Sequence, residues 1–125
     1  MSETLSEKII QAAIEVHQHL GGPGLLESIY ESALSHELSV RGIQNQRQLP
    51  ISVIYKNIEV REPLFLDILV NKQLIIEVKA TGKDYSIYQV QLFTYLRLTG
   101  LKEGLIINFG KKDIRYGICK VLNDA

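Results

Sequence analysis

The chain has one cysteine, Cys119, one methionine and no tryptophan among its 125 residues. A single thiol permits no internal disulfide, and three histidines with one cysteine give no metal-type Cys/His cluster. Cys119 stands in an apolar run and reads as a small core residue rather than a nucleophile. No apolar run approaches the roughly 20 residues that span a bilayer. The first residues carry acids where a secretory leader would have an apolar stretch. A reducing, cytoplasmic setting with no membrane partner is therefore expected. Net charge is also lacking, because 14 Lys and Arg balance 14 Asp and Glu. Repeats, low-complexity tracts and linkers are absent, so residues 1–125 are expected to fold as one domain around one core.

The charge balance conceals an asymmetry. Residues 1–78 hold six basic and ten acidic side chains, for −4, whereas residues 79–125 hold eight and four, for +4. The second half can present a basic surface to phosphates. The same counts also suit an ordinary mixed surface.

What the chain does have is a pair of short apolar runs that carry charge. Phe65 to Val70 and Leu74 to Lys79 are rich in Ile, Leu and Val, and their length suits buried strands rather than helices. Asn71-Lys72-Gln73 between them is the right length for a hairpin loop. With a three-residue loop, Val70 pairs with Leu74, Asp67 faces Glu77, and Lys79 joins them on one face. A two-residue loop would instead split the acids across the sheet. Opposed carboxylates lie about 5 Å apart, and their repulsion is about 3 kcal/mol at an effective dielectric near 20. A divalent cation between them turns that repulsion into binding energy, and hard cations choose carboxylate oxygens. The alternative is an Asp and a Glu at strand edges, solvated or paired to Lys79.

The remaining elements follow in order. Thr4-Leu5-Ser6-Glu7 fits a capping box. The helix after it carries Ile10, Ala13, Ile14 and His17 at helical spacing and stops at Gly21-Gly22-Pro23. A lone histidine on such a stripe is commonly a satisfied core residue. A second helix opens at Gly24-Leu25-Leu26-Glu27 and runs to Val40, burying Leu26, Ile29, Tyr30, Ala33, Leu34 and Leu38. Glu27 and Tyr30 lie near one face, and Glu27 in the first turn also suits the helix dipole. Gln48 to Tyr55 is expected as a strand, with Pro50 arguing for an edge. Lys56-Asn57 turns the chain, Ile58 to Arg61 returns, and Glu62-Pro63 leads into the central hairpin. Past a polar loop over 80–85, a helix over 86–99 puts Gln91 and Tyr95 on one face. Its apolar positions include Ile87, Val90, Leu92, Phe93 and Leu96. Leu105 to Phe109 is a further buried strand, reached by a crossover, and Arg115 to Leu122 is an edge strand.

Gly24-x-x-Glu27-x-x-Tyr30 resembles the motif that names the GxxExxY family, placed within the PD-(D/E)XK nuclease superfamily. The resemblance extends over Leu66-Asp67-Ile68-Leu69-Val70, Glu77-Val78-Lys79-Ala80, Gln91-Leu92-x-x-Tyr95-Leu96 and Leu105 to Gly110. It implies an α/β fold with an αβββαβ core, a mixed central sheet flanked by helices. It implies Asp67, Glu77 and Lys79 as an acid–acid–lysine triad, assisted by Glu27, Gln91 and Tyr95. The implied metal ligands are His17, Asp67, Glu77 and the main-chain carbonyl of Val78, around Mg²⁺ or Mn²⁺. Two departures stand out: Leu66 where proline is usual before the first acid, and Tyr88 where many relatives have histidine. The leading expectation is a metal-dependent nuclease acting on DNA. The rivals are a non-catalytic nucleic-acid- or partner-binding module with the same fold, and a structural subunit. With no evident arm to wrap a duplex, a homodimer or protein partner is also expected.

Overall fold

The computed structural model describes residues 3–124. Its elements are α1 (Leu5–His19), α2 (Glu27–Val40), β1 (Asn45–Tyr55), β2 (Ile58–Val70), β3 (Leu74–Lys79), α3 (Ser86–Thr99), β4 (Glu103–Asn108), a 3₁₀ turn (Ile114–Gly117) and β5 (Ile118–Leu122). The strands form one sheet whose spatial order β1-β2-β3-β4-β5 is the order in the chain. Among the described residues only β3 and β4 run parallel, joined through α3, so the sheet is mixed as expected.

Helix boundaries follow local chemistry. Thr4 caps α1, accepting from the Glu7 amide at 3.2 Å. Gly100 closes α3 in the left-handed conformation, φ 76°. α2 begins at Glu27 instead of Gly24, and this changes its buried face. Tyr30, Leu34 and Leu38 are fully buried, whereas Leu26 and Ile29 are exposed, contrary to expectation. Similarly, only Leu92 and Leu96 of α3 are buried, while Ile87, Val90 and Phe93 face outward. In α1, Ile9, Ala12 and Val16 share the buried stripe with Ala13 and His17.

The core has two layers. α1 and α2 cover one face, where Ile68, Val70, Ile76, Val78, Ile107 and Phe109 gather. α3 covers the other, where Leu92 and Leu96 pack on Ile51, Leu66, Ile75 and Ile106. Ile58 to Val70 is one continuous strand, whereas an interruption at Glu62-Pro63 was expected. The register explains this. Ile51 pairs with Leu64 and Val53 with Arg61, so Ser52 lies across from both Glu62 and Pro63. Pro63 sits in a bulge, where its missing N–H breaks no ladder bond. β2 pairs with β3 only from Ile68 to Val70, so the β1–β2 hairpin projects beyond β3. It is an arm that the sequence did not reveal.

The loops leaving β3 and β4 are tied together at the same end of the sheet. Asn108 is buried, and its Oδ1 accepts from the amides of Thr81, at 3.1 Å, and Gly110, at 2.9 Å. A Cβ on Gly110 would collide with the Thr81 backbone, whereas one on Gly104 would meet the Leu92 side chain at 2.7 Å. A side chain can rotate away and a backbone cannot. Gly110→Ala should therefore cost more stability than Gly104→Ala, at the upper end of about 1–3 kcal/mol. Urea denaturation of both variants checks the order, and equal losses would contradict it.

Candidate active site

The three-residue loop gives the register required: Val70 pairs with Leu74, Leu69 with Ile75 and Ile68 with Ile76. There the main-chain ladder ends, although both strands continue. Side chains take over the next rungs. The Asp67 amide donates to Glu77 Oε2 at 3.0 Å, and the Val78 amide donates to Asp67 Oδ2 at 2.8 Å. Each acid is thus fixed by the backbone of the opposite strand. A strand residue's carbonyl points to the same side as its amide, so the Val78 carbonyl also faces this opening.

β2 is irregular here. Leu66 packs in the α3 layer and Ile68 in the α1/α2 layer, although strict alternation would place both on one side. Across from Asp67 in β1, Gln48 adopts φ 50°, in the left-handed region that a side chain seldom enters. Its amide nitrogen donates to both Glu31 oxygens, at 3.0 and 3.1 Å, and reaches Asp67 Oδ1 at 3.4 Å. Glu31 is buried and held by Arg47 at 3.1 Å. Neither Glu31 nor Gln48 was singled out from sequence. The available signal was an acid beside Tyr30 on the buried face of α2, four residues after Glu27.

Glu27 reaches the same cleft from the first turn of α2. Gly24, at φ 114°, makes the turn before it, a conformation that L side chains rarely adopt. Tyr30 pins that turn: its hydroxyl donates to the Gly22 carbonyl at 2.7 Å and accepts from the Leu25 amide at 3.1 Å. Its ring stacks on Phe109 at 4.7 Å. Glu27, Glu31, Gln48 and Asp67 line a cleft of about 560 Å³.

From the other side, Lys79 lies over the Tyr88 ring, its Nζ 4.6 Å from the centroid and 3.4 Å from Gln91 Oε1. It makes no ion pair within 4.0 Å among the described residues. Tyr95 feels the charge of both acids, and burial with that field raises its hydroxyl pKa.

His17 is placed elsewhere. Its Nε2 is 2.9 Å from the Lys111 carbonyl and its ring lies against Phe109. The charges acting on Asp67 are those of Glu31, Glu27 and Lys79, and those acting on Glu77 are Asp67, Lys79 and Glu27. His17 thus acts as a strut between α1 and the loop after β4, and it joins no group of three metal-type side chains with Asp67 and Glu77. Among the described residues, no three His, Cys, Asp or Glu side chains form a metal-binding group. A cation held here would meet oxygen donors from Asp67, Glu77 and the Val78 carbonyl, the kind a hard divalent ion takes. Mg²⁺ commonly takes one or two carboxylates, completing its shell with water and substrate phosphate.

A model of the PD-(D/E)XK nuclease superfamily matches residues 3–121. The chain belongs to the PD-(D/E)XK nuclease superfamily. No curated protein matches it significantly. Among solved structures, the crystal structure of SSO0001 is similar, with a TM-score of 0.55 at 14% identity, over 98% of this chain and 79% of that one. At that identity the likeness shows the fold alone. Superfamily membership fits the mixed five-stranded sheet and a nuclease-type fold.

Both acids sit above the usual carboxylate range. Burial pushes Asp67 up to about 6, with Glu31 and Glu27 adding to it and the Val78 amide and Lys79 opposing. Burial and the neighbouring Asp67 push Glu77 up to about 8. The folded state therefore holds protons that the unfolded chain has released. This contribution to stability is complete below the unfolded values of 3.8 and 4.5 and is lost as pH rises through about 6 and about 8. Without divalent ions, the wild-type melting temperature should fall between about pH 5 and about pH 8 more steeply than that of Glu77→Gln. Parallel slopes in thermal melts across that range would contradict the coupling.

Proposed function

We propose that this chain is a metal-dependent phosphodiesterase that hydrolyses DNA, a GxxExxY-type member of its superfamily. The observation that carries the reading is the charge arrangement. Two half-buried to buried carboxylates are locked side by side by opposite backbones, and the nearest lysine neutralises neither within ion-pair distance. That arrangement destabilises the metal-free protein at neutral pH and is repaid by a cation. A bound Mg²⁺ or Mn²⁺ would activate water and offset charge on the scissile phosphate.

The chain's own groups take the remaining tasks. Asp67, Glu77 and the Val78 carbonyl hold the cation. Lys79, steadied by Tyr88 and Gln91, donates from Nζ to the charge that develops on the reacting phosphate. Glu27, across the cleft, accepts a proton from water. Tyr95, its hydroxyl kept protonated by the acids beside it, donates to the sugar-phosphate backbone. A second reading draws on the lack of a third acidic or histidine ligand among the described residues. In it the chain is a nucleic-acid- or partner-binding module that keeps the fold, alone or as a homodimer. In the described residues no helix is long and apolar enough to cross a membrane.

The two readings part at Lys79. Lys79→Ala should abolish cleavage while costing about 1 kcal/mol or less, since only a cation–π contact and a long hydrogen bond are lost. It should keep the rise in melting temperature that Mn²⁺ gives, about 2.7 kcal/mol of stabilisation at a hundredfold excess over Kd. Asp67→Asn should lose that rise and cleavage together, yet melt no lower than wild type without metal, because the amide oxygen still accepts from Val78. Melts with and without Mn²⁺, beside cleavage of single- and double-stranded DNA, decide the matter. An unshifted wild-type melt with neither substrate cut would end the enzyme reading.

A further inference from the structure

Tyr88 steadies Lys79, but Tyr85 and Tyr116 beside it have no part in the chemistry above. Tyr85 and Tyr88 meet edge to face, with centroids 5.4 Å apart and planes at 82°. With Tyr116 they line a cavity of about 200 Å³ between the start of α3 and β5. Lys79 lies over the ring of Tyr88, one of the residues that line the cavity. Tyr116 is 82% exposed and Tyr85 48%, an unusual outlay of aromatic surface for a chain with few aromatics.

Tyr116 also forms a wall of a second and larger cavity, of about 760 Å³, lined by Lys111, Lys112 and Arg115. Lys111 pairs with Asp84 at 3.0 Å and Arg115 with Asp113 at 2.8 Å. Three cations against two acids leave the groove positive, and Lys112 has no ion pair among the described residues. The His17 contact to the Lys111 carbonyl anchors this loop to α1. The aromatic slot and the basic groove thus share Tyr116 as a wall, and the slot's Tyr88 carries Lys79 over its ring.

We propose that this slot and groove form a track for single-stranded DNA, with an unpaired base held on Tyr85 and Tyr116 and the adjoining phosphates on Lys112 and Arg115. Single-strand sites combine such features, a cationic path for the backbone and ring faces for the bases. A duplex keeps its base faces stacked internally and cannot use the slot. The inference rests on the nucleic-acid reading of the neighbouring site and adds strand preference to it.

The test measures binding of fluorescein-labelled oligothymidylate of about 15 nucleotides, and of a duplex of equal length, to the full chain in EDTA. Wild type should bind the single strand more tightly than the duplex. Tyr116→Ala and Tyr85→Ala should each weaken single-strand binding about tenfold, within the range for one lost base stack. Tyr116→Phe, which keeps the ring, should bind as wild type does. Lys112→Ala should lower the salt dependence by about the 0.7 expected for one single-strand phosphate contact, and Tyr116→Ala should leave it unchanged. Both tyrosines lie at the surface, and thermal melts of each variant confirm folding. Wild-type affinity in both alanine variants, or a preference for duplex, overturns the track. If Mn²⁺-dependent cleavage persists in that case, only the track fails. If the tyrosines govern binding but nothing is cut, the enzyme reading fails and the track stands.

Discussion

The ladder between β2 and β3 ends at Ile68 and Ile76, and the two strands are held beyond that point by carboxylates. Two amides that would otherwise seek carbonyls across the sheet find Asp67 and Glu77. The acids are therefore structural acceptors as well as candidate ligands. This double duty explains how two carboxyl groups lie side by side, half-buried and buried, with no ion pair among the described residues. Each is compensated by one charge-assisted backbone bond, and the remainder of the strain appears as raised pKa values. It also explains why amide substitutions are the gentle probes here: they remove charge and leave an acceptor in place.

The surroundings keep that opening in shape. On the α2 side, Gln48 reaches Glu31 and Asp67 from an unusual backbone conformation, and Arg47 neutralises the buried Glu31. Tyr30 fixes the turn that presents Glu27. On the far side, Asn108 joins the loop after Lys79 to the loop after β4, and Gly110 leaves room for that contact. Outside the turns at Lys56-Asn57 and Asn71-Lys72, the non-glycine residue with positive φ among the described residues is Gln48, beside the face change around Asp67. Such local strain persists only where neighbours over-determine it, and here those neighbours are the site's own polar groups.

Much of this was legible from parity. A loop of three residues set the register that leads Asp67 toward Glu77, because a one-residue slip would bury the wrong face, although the alternation assumed for β2 breaks between Leu66 and Ile68. α3 was equally legible, bounded by a polar loop and Gly100. The failures share a cause. Periodicity marks a buried stripe and says nothing of what lies against it, so His17 was correctly placed on the stripe but its neighbour, the Lys111 carbonyl, was not foreseen. Leu26 and Ile29 were expected inside because they are apolar, yet α2 starts later and its inward face is set by Tyr30, Leu34 and Leu38. Pro63 read as a break because a bulge leaves no local signature. Glu31 and Gln48 become site residues only through contacts between α2 and β1, seventeen positions apart in sequence.

The opposed charges of the chain's two halves acquire a spatial meaning from the topology. Because sheet order repeats chain order, a charge gradient along the sequence becomes a gradient across the sheet. Glu27, Glu31 and Asp67 come from the acidic half and gather on the β1–β2 side. Lys111, Lys112 and Arg115 come from the basic half and lie beyond β4. β3 stands between them and carries both signs, Glu77 and then Lys79. Such a field favours positive charge on one side and negative charge on the other. The two sides meet at the end of β3. That is also where the ladder to β2 has opened and where the Tyr88 ring orients the lysine.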